Sequence, residues 1–210
     1  MRLGLSTYAC AWAIGVPGHV PPVPMNAEQF ITRAGHHNFS CVQIADNLPL
    51  HIMSSAKLRQ LKGLADAYQI DIEVGMRGLG DANLIITYLD LAAFFGSPLL
   101  RIVIDTPEYQ PPLAEITARI KDLVPELISR QIKLAIENHD RLKAAQFLEI
   151  IDAVGSPWVG ICLDTVNSMG TGEGFEEVFH TRLIFTSRTY DQQSYPPDGL
   201  CYPGHSGRNG

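Results

Sequence analysis

The chain has 210 residues, 46% hydrophobic and 18% charged, with a formal net charge of −6. This composition supplies one large apolar core, and an acidic balance without a Lys/Arg cluster argues against a nucleic-acid partner. No apolar run reaches the roughly 20 residues of a membrane helix, no signal-peptide pattern opens the chain, and four cysteines without C-x-x-C spacing read as free thiols in a reducing cytoplasm.

The predicted elements alternate. Arg2–Ser6 reads as a short strand, followed by a Gly- and Pro-rich loop from Thr7 to Pro24 that carries Tyr8, Trp12 and His19. Loops longer than about 12 residues are often functional, so this one is a candidate lid. Asn26 can cap a helix to His36, with Ala27, Phe30, Ile31 and Ala34 on one face. Phe39–Ile44 is the second strand, ending at Asp46 and Asn47. Ser54 or Ser55 opens a helix to Tyr68. Ile70–Gly75 is the third strand, followed by Met76, Arg77 and Gly78. Asp81 caps a helix to Phe95, closed by Gly96-Ser97-Pro98. Leu99–Asp105 is the fourth strand, and a fourth helix runs from about Pro112 to Arg130. Lys133–Glu137 is the fifth strand, leading into Asn138, His139 and Asp140. A helix over about 142–154 and a sixth strand from Val159 to Asp164 follow.

One βαβ unit takes about 30 residues, and this chain repeats at that period. Strict alternation of apolar strands with helices means a parallel sheet covered by helices. A doubly wound sheet and a β/α barrel both satisfy the pattern. The absence of G-x-G-x-x-G after the first strand and of a P-loop counts against nucleotide-binding forms. Gln43, Glu73, Arg101, Glu137 and Asp164 lie within or at the ends of successive strands, as in a barrel with a polar upper interior. Several of these residues also have a plainer reading. Glu73 and Arg101 can form a buried ion pair, Glu137 can be an N-cap or a salt-bridged strand end, Asp164 can cap a helix before Val166, and the nearby His139 can be a solvated loop histidine.

Six stretches together are similar to the xylose isomerase-like barrel superfamily, in particular its sugar phosphate isomerase/epimerase group. They are Gly4–Tyr8, Val42–Asn47, Ile72–Gly78, Leu100–Val103, Ala135–His139 and Gly160–Ser168. The resemblance implies a (β/α)8 TIM barrel and a divalent metal (Mn, Mg, Co or Zn). It implies a small sugar, sugar phosphate or inosose as substrate. It carries Glu137 and Asp164 onto the first two metal ligands, with Glu137 also acting as a catalytic base. Asp46, Glu73, Arg101, His139, Asn167 and Trp12 are then expected substrate contacts. The implied reaction is proton transfer next to a carbonyl through an enediolate. A catalytically inactive or sugar-binding relative, a keto-inositol dehydratase and an abasic-DNA endonuclease are the competing readings. Acidic charge and few strand-end histidines count against the last. Pairing of copies through a barrel face is compatible with this fold.

Only six βα units are legible by residue 182. Residues 183–210 lose helical and strand periodicity, and no position there matches the family's seventh-strand His or eighth-strand Glu. The expected organisation is a partial barrel over 1–182 and an irregular tail over 183–210, with an incomplete metal site. Two readings of such a tail stand: a changed reading frame, since codons shifted by different steps over 183–189 and 197–203 can spell family-like segments, and a genuinely diverged tail.

Overall fold

Each apolar run forms a strand in the computed structural model, and each amphipathic stretch between runs forms a helix. The structure describes residues 3–139, 141–164, 166–167 and 172–173. The strands are β1 (Gly4–Ser6), β2 (Cys41–Ile44), β3 (Asp71–Arg77), β4 (Leu99–Val103), β5 (Lys133–Glu137) and β6 (Val159–Cys162). They follow one another in sheet order, β1 to β6, and alternate with helices. This is a parallel, TIM barrel-like fold, as the sequence predicts. The tail expected from residue 183, with its reading-frame expectation, lies outside the described residues.

Two compact units divide within β3, one up to Glu73 and the other from Val74. In the first unit β1 and β2 run parallel, with Leu5 opposite Val42 and Ser6 opposite Gln43. Helix α2 (Ala27–His36) starts at a reciprocal cap, in which the Gln29 amide donates to Asn26 Oδ1 and the Asn26 amide to Gln29 Oε1, each at 2.9 Å. That arrangement satisfies two amides that no helical carbonyl can reach. Its buried face is Ala27, Phe30, Ile31 and Ala34. Helix α3 (Ser55–Tyr68) is capped by Ser54 and packs against α2. The Tyr68 ring lies so close to Gly35 that a Cβ there would come within 2.4 Å of it.

The stretch from Thr7 to Pro24 is more ordered than a loop reading predicts. A 3-10 turn spans Thr7–Cys10 and a single helical turn, α1, spans Ala11–Ile14. Nothing between Thr7 and Ile14 breaks a helix, whereas Gly15 (φ 129°) and Pro17 stop it at once. A tight turn then closes Val16 onto His19 by two backbone hydrogen bonds of 2.9 and 2.8 Å, with Pro17 and Gly18 (φ 81°) at its corner.

In the second unit β3, β4, β5 and β6 are parallel neighbours. The helices are α4 (Ala82–Phe95), α5 (Leu113–Arg130) and α6 (Ala144–Val154). Leu100, Ile102, Leu134 and Ile136 are fully buried. Each contributes about 1.5–3 kcal/mol by leaving water. Strand residues alternate in direction, so Arg101, Ala135 and Glu137 share the opposite face. The register places Arg101 opposite Ala135, and Glu137 opposite Cys162. Strand β3 runs on to Arg77, two residues past the expected end, because Met76 and Arg77 find partners in Ile102 and Val103. Strands β4 and β6 stop two residues short, which leaves Asp105 and Asp164 just beyond the ladder.

Candidate active site

The strand ends of the second unit carry a dense polar cluster. Glu137 is the last residue of β5 and is 7% exposed, while Arg101 on β4 is 4% exposed. Arg101 Nε donates to Glu137 Oε2, forming a buried ion pair. Arg101 sits level with Ala135, and Glu137 lies two residues further along the same face, within the reach of a guanidinium. A pair this buried is held by mutual charge and depends on both partners.

Around it stand two further groups. Arg77, at the end of β3, donates from Nη1 to the Asp105 carbonyl at 3.3 Å, and its Nη2 lies 3.3 Å from His139 Nε2. A guanidinium only donates, so that contact uses His139 Nε2 as acceptor. Arg141 grips Asp105 with two hydrogen bonds of 3.0 and 2.8 Å and also donates to the Pro111 carbonyl at 2.9 Å. The Asp105 carboxylate raises the Arg141 guanidinium above its ordinary pKa. Gly78 follows Arg77 with φ 97°, and a Cβ there would meet Thr106 Cγ2 at 2.9 Å. A side chain at that position is strained by both backbone and contact.

Asp164 lies two residues beyond β6. Its Oδ1 accepts from the amides of Val166 (2.8 Å) and Asn167 (3.3 Å). The buried Asn138 holds the Asp164 backbone from both sides, accepting from its amide at 2.6 Å and donating to its carbonyl at 2.7 Å. The Asn167 side-chain amide donates to the Asn138 carbonyl at 3.0 Å.

The remaining predicted residues lie in the first unit. Tyr8 donates its hydroxyl to Asp46 Oδ2 at 2.8 Å. The fully buried Thr7 ties the ends of β1 and β2 together, donating to Asn47 Oδ1 at 2.6 Å and accepting from the Ala45 amide at 3.0 Å. Trp12 is 69% exposed on α1, its ring edge-on to His19 with centroids 5.4 Å apart. Glu73 is half-buried on β3.

The structure thus gathers Glu137, His139, Asp164 and Asn167 at or just beyond neighbouring strand ends of one unit, with Arg101 reaching Glu137 from within β4. Sequence reasoning missed Asn138, Asp105 and Arg141. Asn138 stands beside Glu137 in the Glu-Asn-His run, yet its partner is 26 residues away. Asp105 and Arg141 are 36 residues apart, and no local pattern announces their pairing.

Glu137 and Asp164 are oxygen donors of the kind hard divalent cations accept. One oxygen of Glu137 engages Arg101, and one of Asp164 engages backbone amides. Among the described residues no three His, Cys, Asp or Glu side chains stand together as a metal site. These two carboxylates alone do not make a complete ligand set.

The chain is similar to known proteins over most of its length. The profile described as "Xylose isomerase-like TIM barrel" matches residues 31–193. A 3-oxo-isoapionate decarboxylase of Pectobacterium atrosepticum is 30% identical over 178 residues, covering 85% of this chain and 63% of that protein. The chain therefore spans less than two thirds of that relative's length. Among solved structures, the probable 3-DHS dehydratase AsbF of Bacillus anthracis superposes with a TM-score of 0.68 at 12% identity, over 88% of this chain and 70% of that one. The IOLI protein, described with a bound zinc atom, gives 0.63 at 17% identity, over 84% and 67%.

Proposed function

The chain belongs to the xylose isomerase-like TIM barrel family, and we propose that it decarboxylates a small 3-oxo sugar acid through an enolate intermediate. The observation that carries this reading is the similarity to the 3-oxo-isoapionate decarboxylase across 85% of the chain. The strand-end cluster supports it. Loss of CO2 from a 3-oxo acid breaks the bond between the carboxylate carbon and C2. The electron pair moves into the C3 carbonyl, leaving an enolate oxygen. Protonation at C2 then completes the reaction. A buried guanidinium such as Arg101 stabilises the developing oxyanion in a low-dielectric site. In this reading Glu137, ion-paired with Arg101, takes up a proton from solvent as the enolate forms and delivers it to C2. Within the second unit, His139 and Asn167 contribute polar contacts to the sugar. A divalent cation bound by Glu137 and Asp164 would supply Lewis-acid polarisation of the substrate oxygens.

The same enolate is the intermediate of an isomerase or epimerase, in which Glu137 removes a proton from carbon instead. One assay separates the two. The full chain is incubated with a 3-oxo sugar acid in D2O, and both CO2 release and deuterium on carbon are followed. The decarboxylase reading requires CO2 release and deuterium at the former C2 position. Deuterium exchange next to the carbonyl without CO2 release selects the isomerase/epimerase reading. Neither signal overturns both.

A further inference from the structure

Asn138 has no part in the chemistry described above, yet it is 2% exposed and engages both the backbone of Asp164 and the side chain of Asn167. Its backbone amide donates to the Cys162 carbonyl at 3.3 Å, continuing the β5–β6 ladder by one rung. Among the described residues the strand ladder ends there. The Asn138 side chain takes over, accepting from the Asp164 amide and donating to the Asp164 carbonyl at 2.6 and 2.7 Å. A primary amide carries one acceptor and two donors in a plane, and so imitates the rung a backbone peptide would make. The Asn138 carbonyl in turn accepts from Asn167, whose own amide donates to Asp164 Oδ1. Glu137 is the residue before Asn138 and Asp164 is the residue it clasps, so one buried amide sets the position of one carboxylate relative to the other.

We propose that Asn138 is a positioning residue, a side-chain rung that fixes Asp164 beside Glu137. The proposal rests on the reading that these two carboxylates serve one reaction centre. Only an amide of this length fits. Alanine removes both contacts with Asp164, and glutamine keeps the amide but carries it one methylene too far. A misplacement of about 1 Å in a site can cost about 100-fold in rate.

The test uses the full chain as wild type, Asn138→Ala and Asn138→Gln, each checked for folding by thermal melting. Residue-resolved amide hydrogen exchange comes first. The Asp164 amide should exchange about tenfold faster or more in either variant, while amides of Lys133–Glu137 keep their protection. The second readout is turnover of the 3-oxo sugar acid, with kcat expected to fall about 10–100-fold at little-changed KM. The third is titration with Mn2+ alone, with weaker binding expected in both variants. If alanine prevents folding, glutamine decides on all three readouts. Unchanged exchange at Asp164 overturns the proposal. So does faster exchange with undiminished kcat, which would leave Asn138 a purely structural role. A wild type that neither turns over nor binds Mn2+ overturns the shared reaction centre instead, and the exchange result then decides on its own whether Asn138 holds Asp164.

Discussion

Glu137 and Arg101 form a buried ion pair at the centre of the proposed chemistry. Replacing Glu137 by Gln removes the carboxylate from a guanidinium that is 4% exposed. Breaking such a pair from one side costs about 3–5 kcal/mol, so chemical denaturation of Glu137→Gln should show a loss of that size. Turnover should fall by about 10²–10⁴-fold if Glu137 handles the proton. Asp164→Asn behaves differently. Asp164 is half-buried, and an amide oxygen can still accept from the Val166 and Asn167 amides. Its stability change should stay within about 1 kcal/mol, while activity and Mn2+ affinity fall; a large loss of stability would mean that the carboxylate serves mainly as a cap. Both plainer readings of these carboxylates are present in the geometry, since Glu137 is salt-bridged and Asp164 caps the turn ahead of Val166. Neither excludes catalysis, because a site needs its groups held. The residue types and strand ends were legible in the sequence. The Arg101 partner was not, because Glu137 lies 36 residues away and register alone brings the two together.

Among the elements, α2 and α3 meet at Gly35 and Tyr68. Alanine in an exposed helix interior usually gains up to about 1 kcal/mol over glycine. Here the added Cβ would stand 2.4 Å from Tyr68 Cδ1, and overpacking costs about 1–3 kcal/mol. The clash outweighs the propensity, so Gly35→Ala should lower the melting temperature by several degrees; an unchanged or higher value would show that Tyr68 moves aside freely. In the second unit, Glu115 at the start of α5 accepts from the Tyr109 hydroxyl at 2.6 Å and from Arg119 Nε at 2.9 Å, while Arg119 also donates to the Gly80 carbonyl at 3.1 Å. These bonds, Tyr109 first, hold the Glu115 carboxyl below its ordinary 4.5. A depressed folded-state pKa contributes stability above the ordinary value that is lost as pH falls through the folded value. The stability difference between wild type and Glu115→Gln should therefore be full at neutral pH and shrink as pH falls below the ordinary 4.5 toward the lower folded-state value, as followed by melting across pH 3–7. A difference independent of pH would remove the carboxylate from the account. The helices themselves were legible from their caps, Asn26, Ser54 and Asp81, because capping is a local chemistry. The Tyr109–Glu115–Arg119 clamp was not, because its value depends on a loop folding back onto Gly80.

For the whole molecule, the family membership and the repeat of strand and helix agree. Among the described residues no helix is long and apolar enough to cross a membrane. The match to a decarboxylase moves the proposed chemistry away from the isomerisation that the resemblance implied, although both pass through one enolate. The deuterium assay separates them by whether a carbon–carbon or a carbon–hydrogen bond breaks. The amino-acid sequence by itself determined the parallel βα architecture, because hydrophobic period and capping are short-range signals read within one element. It also placed Glu137 at the end of its strand and Asp164 close to the end of its own, because polarity breaks an apolar run at a visible position. Only the tertiary structure decided that Arg101 meets Glu137, that Arg141 grips Asp105 and that Asn138 clasps Asp164. Those pairings depend on strand register and loop closure across 26 to 36 residues, distances over which sequence pattern carries no geometry.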